Sequence, residues 1–378
     1  MVAGDPRQGG ATWAVLQYFH GLRDLGHDVA LVEPLRTAPG GTVDPVVLGY
    51  FRSLGLPAER SALLAPSSRQ TIGMDYEEIV SFARGADLLL NISGMLTDER
   101  ILERVPVRVF LDLDPGFNQV WSLTGEGVGL DRHTHFVSVG QLVGSARSRV
   151  PTCGRQWSTT LPPVVLDRWP SSGASSSEAF TSVGHWRSYG SIEYGGISYG
   201  QRAHALRKLI GLPRHVDLPL ELALGIHPDE EADLSALWAN GWRLVDPEQK
   251  AGTPDLYAEY IRQSAGELGI AKSGYVNSHS GWFSDRSACY LASGRPVVAQ
   301  DTGFGHVLPT AEGLLSFTSL AEATEAIEAV RTAPKLHQKR AREMAEDLFD
   351  SRKILSRLLV ELASKPRSTP PPPSAAST

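Results

Sequence analysis

Residues 271–304, AKSGYVNSHSGWFSDRSACYLASGRPVVAQDTGF, constrain the fold more than any other part of this chain. They read as a strand, a Ser/Gly-rich loop, a helix opened by polar residues, and a buried strand Val297-Val298-Ala299 after Gly294-Arg295-Pro296. Strand–loop–helix–strand is the repeating unit of an open parallel sheet. Its loop leaves backbone N–H groups free at a helix N-terminus, a setting that suits a phosphate. An ordinary crossover turn has the same local pattern, so the segment fixes the fold class before it fixes a ligand.

The alternation extends along most of the chain. After a Gly9-Gly10 turn, Trp13, Leu16, Phe19, Leu22 and Leu25 recur at near-helical spacing, and Gly26 with His27 supplies a stop. Residues 28–34 read as a strand, 44–55 and 75–84 as helices, and 87–94, 107–112 and 135–140 as further strands. Met1-Val2-Ala3 reads as the last half of a first strand, so the numbered chain is expected to begin inside a longer element. A polar run at 171–177 (SSGASSS) separates two stretches of similar pattern. Beyond it, 180–184, 219–226, 242–245 and 268–271 are predicted strands, and 200–211, 234–240 and 254–265 predicted helices. Helix-rich segments follow at 320–332, 335–349 and 351–363, which either cross back onto the first half or cap the second. The Pro/Ser-rich end reads as a disordered tail.

The expected architecture is therefore α/β, with two Rossmann-like parallel-sheet domains facing a central cleft. The expected boundaries are 1–168 for an acceptor domain, 169–178 for a linker, 179–334 for a donor domain, 335–363 for C-terminal helices and 364–378 for the tail. A length of 378 residues is enough for two cores. The formal charge of −6 argues against a nucleic-acid polymer as partner. Two cysteines, Cys153 and Cys289, make neither a disulfide framework nor a thiolate metal site, so a reducing cytoplasm is the expected compartment. No run is long enough for a membrane span, although peripheral contact with a membrane stays open.

Open parallel sheets bind ligands at the carboxyl ends of their strands. In the second half those ends carry Arg187, Lys272, Arg286, several glycines and the hydroxyls of Ser273, Ser278, Ser280 and Ser284, a set suited to a diphosphate. Gly281-Trp282-Phe283-Ser284, continuing to Ala292-Ser293-Gly294-Arg295-Pro296-Val297-Val298-Ala299, resembles the donor-binding signature of group 1, GT-B-fold glycosyltransferases. In that family an acidic-Gly-Phe-Gly loop opens a helix that ends in Ala-x-Gly-x-Pro-Val-Val. Gly9-Gly10 with residues 20–34 (HGLRDLGHDVALVEP) resembles the family's first βαβ unit. Val183-Gly184-His185-Trp186-Arg187 sits where the family usually has Val-Gly-Arg, and the spore-maturation-like bacterial branch is the nearest. Many members also carry two glutamates with seven residues between them. Gly281 and Cys289 hold those positions here, which puts ribose recognition and stereochemistry in question.

The resemblance implies transfer of a sugar from a nucleotide-diphosphate sugar to an acceptor, without metal and with no cofactor beyond the nucleotide-sugar co-substrate. Gly9, Gly10, Trp186, Arg187, Lys272, Trp282, Phe283, Ser284, Asp285 and Arg286 are the expected donor-binding residues. The leaving diphosphate needs positive charge in a water-poor cleft. Arg187 and Lys272 are the candidate cations, aided by the backbone amides of residues 282–286. An inverting transfer also needs a general base. Asp114, at a sheet's carboxyl edge, is the first candidate, with His135 and His133 competing; equally, Asp114 can simply initiate the turn before Pro115. Asp112 and Asp114 also form a DxD pair, which binds one metal only if the chain turns between them. A sugar-nucleotide epimerase on the same fold, or a non-catalytic nucleotide-sugar binding protein, are the alternatives.

Overall fold

The computed structural model describes residues 2–35, 43–171, 173 and 175–365. In chain order its first half runs α1 (Gly9–Asp24), β1 (Leu31–Pro34), α2 (Pro45–Ser53), β2 (Ser61–Ala65), β3 (Gln70–Gly73), α3 (Tyr76–Gly85), β4 (Leu88–Ile92), α4 (Glu99–Leu102), β5 (Val107–Asp112), α5 (Phe117–Thr124), β6 (His135–Ser138) and β7 (Trp157–Thr159). The second half runs β8 (Phe180–His185), β9 (Ile192–Tyr194), β10 (Ile197–Tyr199), α6 (Arg202–Leu206), β11 (Leu220–Gly225), α7 (Glu231–Ala239), β12 (Arg243–Leu244), α8 (Pro247–Ala251), α9 (Pro254–Gln263), β13 (Gly266–Gly269), α10 (Ser273–Asn277), α11 (Asp285–Ala292), β14 (Val297–Gln300) and β15 (Leu314–Phe317). Three helices end the described chain: α12 (Leu320–Thr332), α13 (Pro334–Met344) and α14 (Ser351–Ser364).

The second half folds into a six-stranded sheet of order β12-β11-β8-β13-β14-β15, parallel throughout. Ranked by chain position this is 3-2-1-4-5-6, the doubly wound order, whose direction reverses between β8 and β13. Its strands are apolar because both faces are covered: Leu222, Ala223, Leu268, Val297 and Val298 are at most 1% exposed. The first half holds two sheets, β1-β2-β3 and β4-β5-β6-β7, parallel except for the β2–β3 pairing. That α/β, two-lobed, Rossmann-like architecture is the one the alternating pattern predicts.

Local chemistry sets the helix ends. Thr253 caps α9 ahead of Pro254, Asp75 and Glu78 form a capping box on α3, and Ser284 caps α11 through the Arg286 amide. Several boundaries differ from the sequence expectation. Residues 200–211 form only the short α6 followed by 3-10 turns, and 335–349 divide into α13 and a π-helical turn at 345–349. Residues 70–73, to which the sequence pattern assigns no element, form β3, and the expected Ser/Gly-rich loop after β13 contains α10.

The C-terminal helices cross back. Val164 and residues 349–351 exchange backbone hydrogen bonds, and Leu355, Leu358 and Leu362 of α14 pack with Tyr18, Val109, Leu111 and Val137 of the first lobe. The Lys365 ammonium reaches Ser158 Oγ at 2.7 Å. Met1, residues 36–42, Ser172, Ala174 and residues 366–378 lie outside the described residues, and with them the first residue of the expected first strand, part of the expected linker and most of the expected tail.

Candidate active site

Asp114 reaches from the first lobe into the second. Its backbone amide bonds the Asp112 carboxylate at 3.0 Å, which folds the turn after β5 and aims the Asp114 side chain outward from the sheet's carboxyl edge. There the carboxylate accepts hydrogen bonds from the hydroxyls of Tyr189 and Tyr275 and from Lys272 Nζ, the last at 3.0 Å. Lys272 follows β13 and caps α10. Its ammonium sits over the rings of Tyr189, Phe117 and Tyr275, at 4.2, 5.0 and 5.4 Å from their centres. Burial pushes its pKa down, and the Asp114 carboxylate pushes it back up. A cation inside an aromatic cage, tied to one carboxylate across the lobe boundary, is an anion site with its anion supplied by the protein itself.

A second cation lies at the same strand ends and was not among the sequence candidates. Arg202 of α6 donates to the carbonyls of Val183, His185 and Ile270, which end β8 and follow β13. All its described hydrogen bonds go to neutral carbonyl oxygens. Burial, with Arg286 nearby, pushes its pKa down to about 9. Gly184 makes room for it: φ is +142°, and a Cβ there would stand 2.3 Å from an Arg202 guanidinium nitrogen. Lys272 and Arg202 thus flank the reversal point between β8 and β13.

The other expected donor residues are distributed differently. Arg286 is buried, with its guanidinium on Glu267 (2.5 Å) and the Val183 carbonyl (2.9 Å), so its charge is neutralised within the second lobe. Phe283 is 2% exposed between Phe304 and Phe349. Trp282 stacks on Tyr275 with centres 4.4 Å apart. Ser284 is occupied as the α11 cap, and burial raises the pKa of Asp285 in the first turn of that helix. Trp186 is 1% exposed and donates to Asp233, and exposed Arg187 pairs with Glu230. Gly9 and Gly10 open α1 against the second lobe, where a Cβ on Gly9 would fall 2.2 Å from the Thr253 carbonyl oxygen. Of the expected donor residues, the structure gathers Lys272 and Trp282 around Asp114 and disperses the rest.

The candidate bases separate as well. His135 pairs with Val109 at the amino-terminal end of β6, whereas Asp114 follows the carboxyl end of β5. Its ring meets Thr134 Oγ1 at 2.9 Å and the Lys365 carbonyl at 3.4 Å. His133 lies between Asn91 and the Gly129 carbonyl, and burial pushes it down to about 4. Asp112 is fully buried on Asn118, Gln119 and Ser138, so the two carboxylates of the DxD pair address different partners. Cys289, at one of the family's glutamate positions, is buried near Gln17, and burial raises its thiol pKa.

The lobes touch directly beside this site. Gln141 and Leu142 amides donate to the carbonyls of Gly281 and Ser280, both at 3.1 Å, and the Arg149 amide donates to Ser278 at 2.8 Å. Between α1, Pro162, Pro163 and residues 282–285 a cavity of about 20 Å³ remains.

No protein-family model matches the chain, and no curated protein matches it. Solved structures do. The avilamycin A biosynthesis glycosyltransferase AviGT4 superposes with a TM-score of 0.55 at 15% identity, covering 97% of this chain and 94% of that one. Anabaena HepE in complex with UDP-glucose gives 0.58 at 14%, covering 96% and 98%. Sucrose-phosphate synthase from Thermosynechococcus elongatus gives 0.55 at 14%, with the same coverage. The likeness is one of fold: this chain has the two-lobed GT-B architecture over nearly its whole length.

Proposed function

We infer that the protein is a glycosyltransferase that moves a sugar from a nucleotide-diphosphate sugar to an acceptor. The observation that carries this reading is the pair Lys272 and Arg202 at the reversal point of the second sheet, facing a first-lobe carboxylate. The fold neighbours support it, since one of them is a complex with UDP-glucose. Membership of the spore-maturation-like branch rests on the sequence motif alone, and a cytoplasmic setting on the two free thiols. Among the described residues, no helix is long and apolar enough to cross a membrane.

In this reading the donor diphosphate takes the place of Asp114 on Lys272 and lies against Arg202. Charge accumulating on the leaving diphosphate is met by two cations in a low-dielectric cleft, with no metal required. The displaced Asp114 carboxylate is then free to take the acceptor hydroxyl proton as the acceptor oxygen bonds to the anomeric carbon and the diphosphate departs. Arg286 holds the donor loop in place by its bond to Glu267 rather than by touching the ligand.

A panel of UDP-, GDP- and dTDP-sugars, with and without acceptor, tests the assignment. A transferase consumes donor in proportion to acceptor and keeps its rate in EDTA. Interconversion of donors without acceptor identifies an epimerase, and binding without turnover a non-catalytic protein. Neither turnover nor a nucleotide-induced shift in melting temperature would remove the assignment altogether.

A further inference from the structure

The first lobe contains a strand-shaped slot. A cavity of about 680 Å³ runs between β1 and β4, lined by residues 29–34 on one side and 87–92 on the other. Its floor comes from Val15, Phe19 and Leu22 of α1, and its other wall from Ile79 and Phe82 of α3. β1 pairs only with β2 and β4 only with β5 among the described strands, so two backbone edges face each other across it. β4 is the sequence Leu88-Leu89-Leu90-Asn91-Ile92, yet all but Asn91 are only half-buried. An apolar strand of this kind inside an α/β lobe belongs between two neighbours, covered on both faces. Open edges beside half-buried leucines are otherwise an aggregation hazard.

The second lobe supplies the reference. There β8, first in the chain, lies between the second strand β11 and the fourth strand β13. In the first lobe β2, β1, the slot, β4 and β5 repeat that order with the slot in the position of β8. α1 follows the slot as α6 follows β8. Val2 lines the slot, and the amides of Val2, Ala3 and Gly4 all donate to the Glu33 carboxylate, at 3.0, 2.7 and 3.0 Å, near the carboxyl end of β1. A strand parallel to β1 and β4 would therefore finish at Val2–Ala3.

We propose that the slot is the seat of a parallel β-strand of about five apolar residues, contributed by the native chain immediately ahead of Val2. It joins the β1–β3 and β4–β7 sheets into one continuous sheet. The two open edges and the half-buried β4 leucines call for this occupant. The strand's carboxyl end sets the Gly4–Gln8 loop, whose Gln8 side chain meets His185 at 3.1 Å, and so it also positions the first lobe's rim of the cleft. The inference is independent of the proposed function, because it concerns pairing within the first lobe.

Two measurements test it. Intact mass and N-terminal sequencing of the protein isolated from its source cells should show several residues ahead of Val2, mostly apolar. A native chain that begins at Met1 would overturn the proposal. Hydrogen exchange should then be compared between the chain starting at Met1 and the natively extended chain. Amides of 31–33 and 88–92 are expected to exchange at least 100-fold more slowly in the extended form. Equal protection in both forms would refute the pairing. So would a fatty acyl or other apolar molecule recovered by solvent extraction from the extended chain and displaced in step with loss of 31–33 protection, which would make the slot a ligand pocket.

Discussion

The pairing of Lys272 with Asp114 can be tested by a double-mutant cycle using Lys272→Met and Asp114→Asn. The two side chains are 16% and 20% exposed, so the pair is mostly, not wholly, removed from water. Breaking a fully buried pair from one side costs about 3–5 kcal/mol, and exposed pairs are worth about 0–1. Asp114→Asn should fall between, at ~2 kcal/mol, because it leaves the caged ammonium without its carboxylate. Lys272→Met should cost less, about 1 kcal/mol, since Tyr189 and Tyr275 still donate to Asp114 and the methionine fills the aromatic cage. The double variant should then be more stable than the sum of the singles predicts, by about 1 kcal/mol. Urea melts measure this directly. Kinetics separate the roles. Lys272→Met should lower turnover by about 100-fold, ~2.7 kcal/mol of lost stabilisation of the leaving group. Asp114→Asn should bind UDP about tenfold more tightly, because the nucleotide no longer competes with a resident carboxylate, yet turn over ~100-fold more slowly or worse. Stability effects that simply add, together with unchanged UDP affinity in Asp114→Asn, would refute the exchange of anions on Lys272.

Three further outcomes follow from the same geometry. Arg202→Lys retains charge but cannot span the carbonyls of Val183, His185 and Ile270, so the donor KM should rise at least tenfold in steady-state assays. Arg187→Ala distinguishes the two arginines. As a diphosphate ligand Arg187 would lose at least tenfold in turnover, whereas the exposed pair with Glu230 predicts a change within about threefold and about 0.5 kcal/mol of stability. His133 gives a pH prediction: burial lowers its pKa from 6.5 to about 4, so the unfolded chain binds the extra proton between those values. Its contribution is intact above pH 6.5 and is lost as pH falls toward 4, by up to ~3 kcal/mol. Melting temperature followed from pH 7 to 4 should fall less steeply in His133→Asn, and an identical slope would show that another group controls the acid limb.

The fold was legible because parallel strands buried on both faces are written as apolar runs, such as Leu220–Gly225 and Val297–Gln300, separated by helical periodicity. The β9–β10 hairpin was missed although its signal is present: Gly195-Gly196 joins two alternating segments, the pattern of a two-residue turn. β2 was missed for a different reason, since Ser61-Ala62-Leu63-Leu64-Ala65 is short and has no alternation to separate strand from helix. Asp114 could be read from its place after a strand, and Lys272 likewise. Arg202 could not, because α6 comes seventeen residues after His185 in the chain and only the fold returns it to the end of β8. Arg286 looked available beside a helix cap, but Glu267 inside β13 signals a buried countercharge, since a carboxylate in a central strand needs a partner. Strand polarity also separates His135 from Asp114, a point the local motif around each residue does not carry.

Under the proposed assignment, the contacts across the cleft bear on the order in which a donor binds. Three backbone hydrogen bonds, from Gln141, Leu142 and Arg149, hold residues 140–149 against residues 278–281, and a cavity of about 20 Å³, roughly the space of one water molecule, lies nearby between α1, Pro162, Pro163 and residues 282–285. Under the proposed assignment a donor diphosphate reaches Lys272 only when the Asp114–Lys272 pair gives way. Opening exposes a caged lysine and a guanidinium held only by carbonyls, which an incoming diphosphate stabilises more than water does in a low-dielectric site. Closure with the donor in place then brings Asp114 back toward the site without its cation. The ion pair ties the two lobes together, and under the proposed assignment it would also keep the candidate base neutralised until a diphosphate takes its place. In that scheme solvent attack on the donor would be disfavoured for the same reason, because the carboxylate would become available only in a cleft closed again over the ligand.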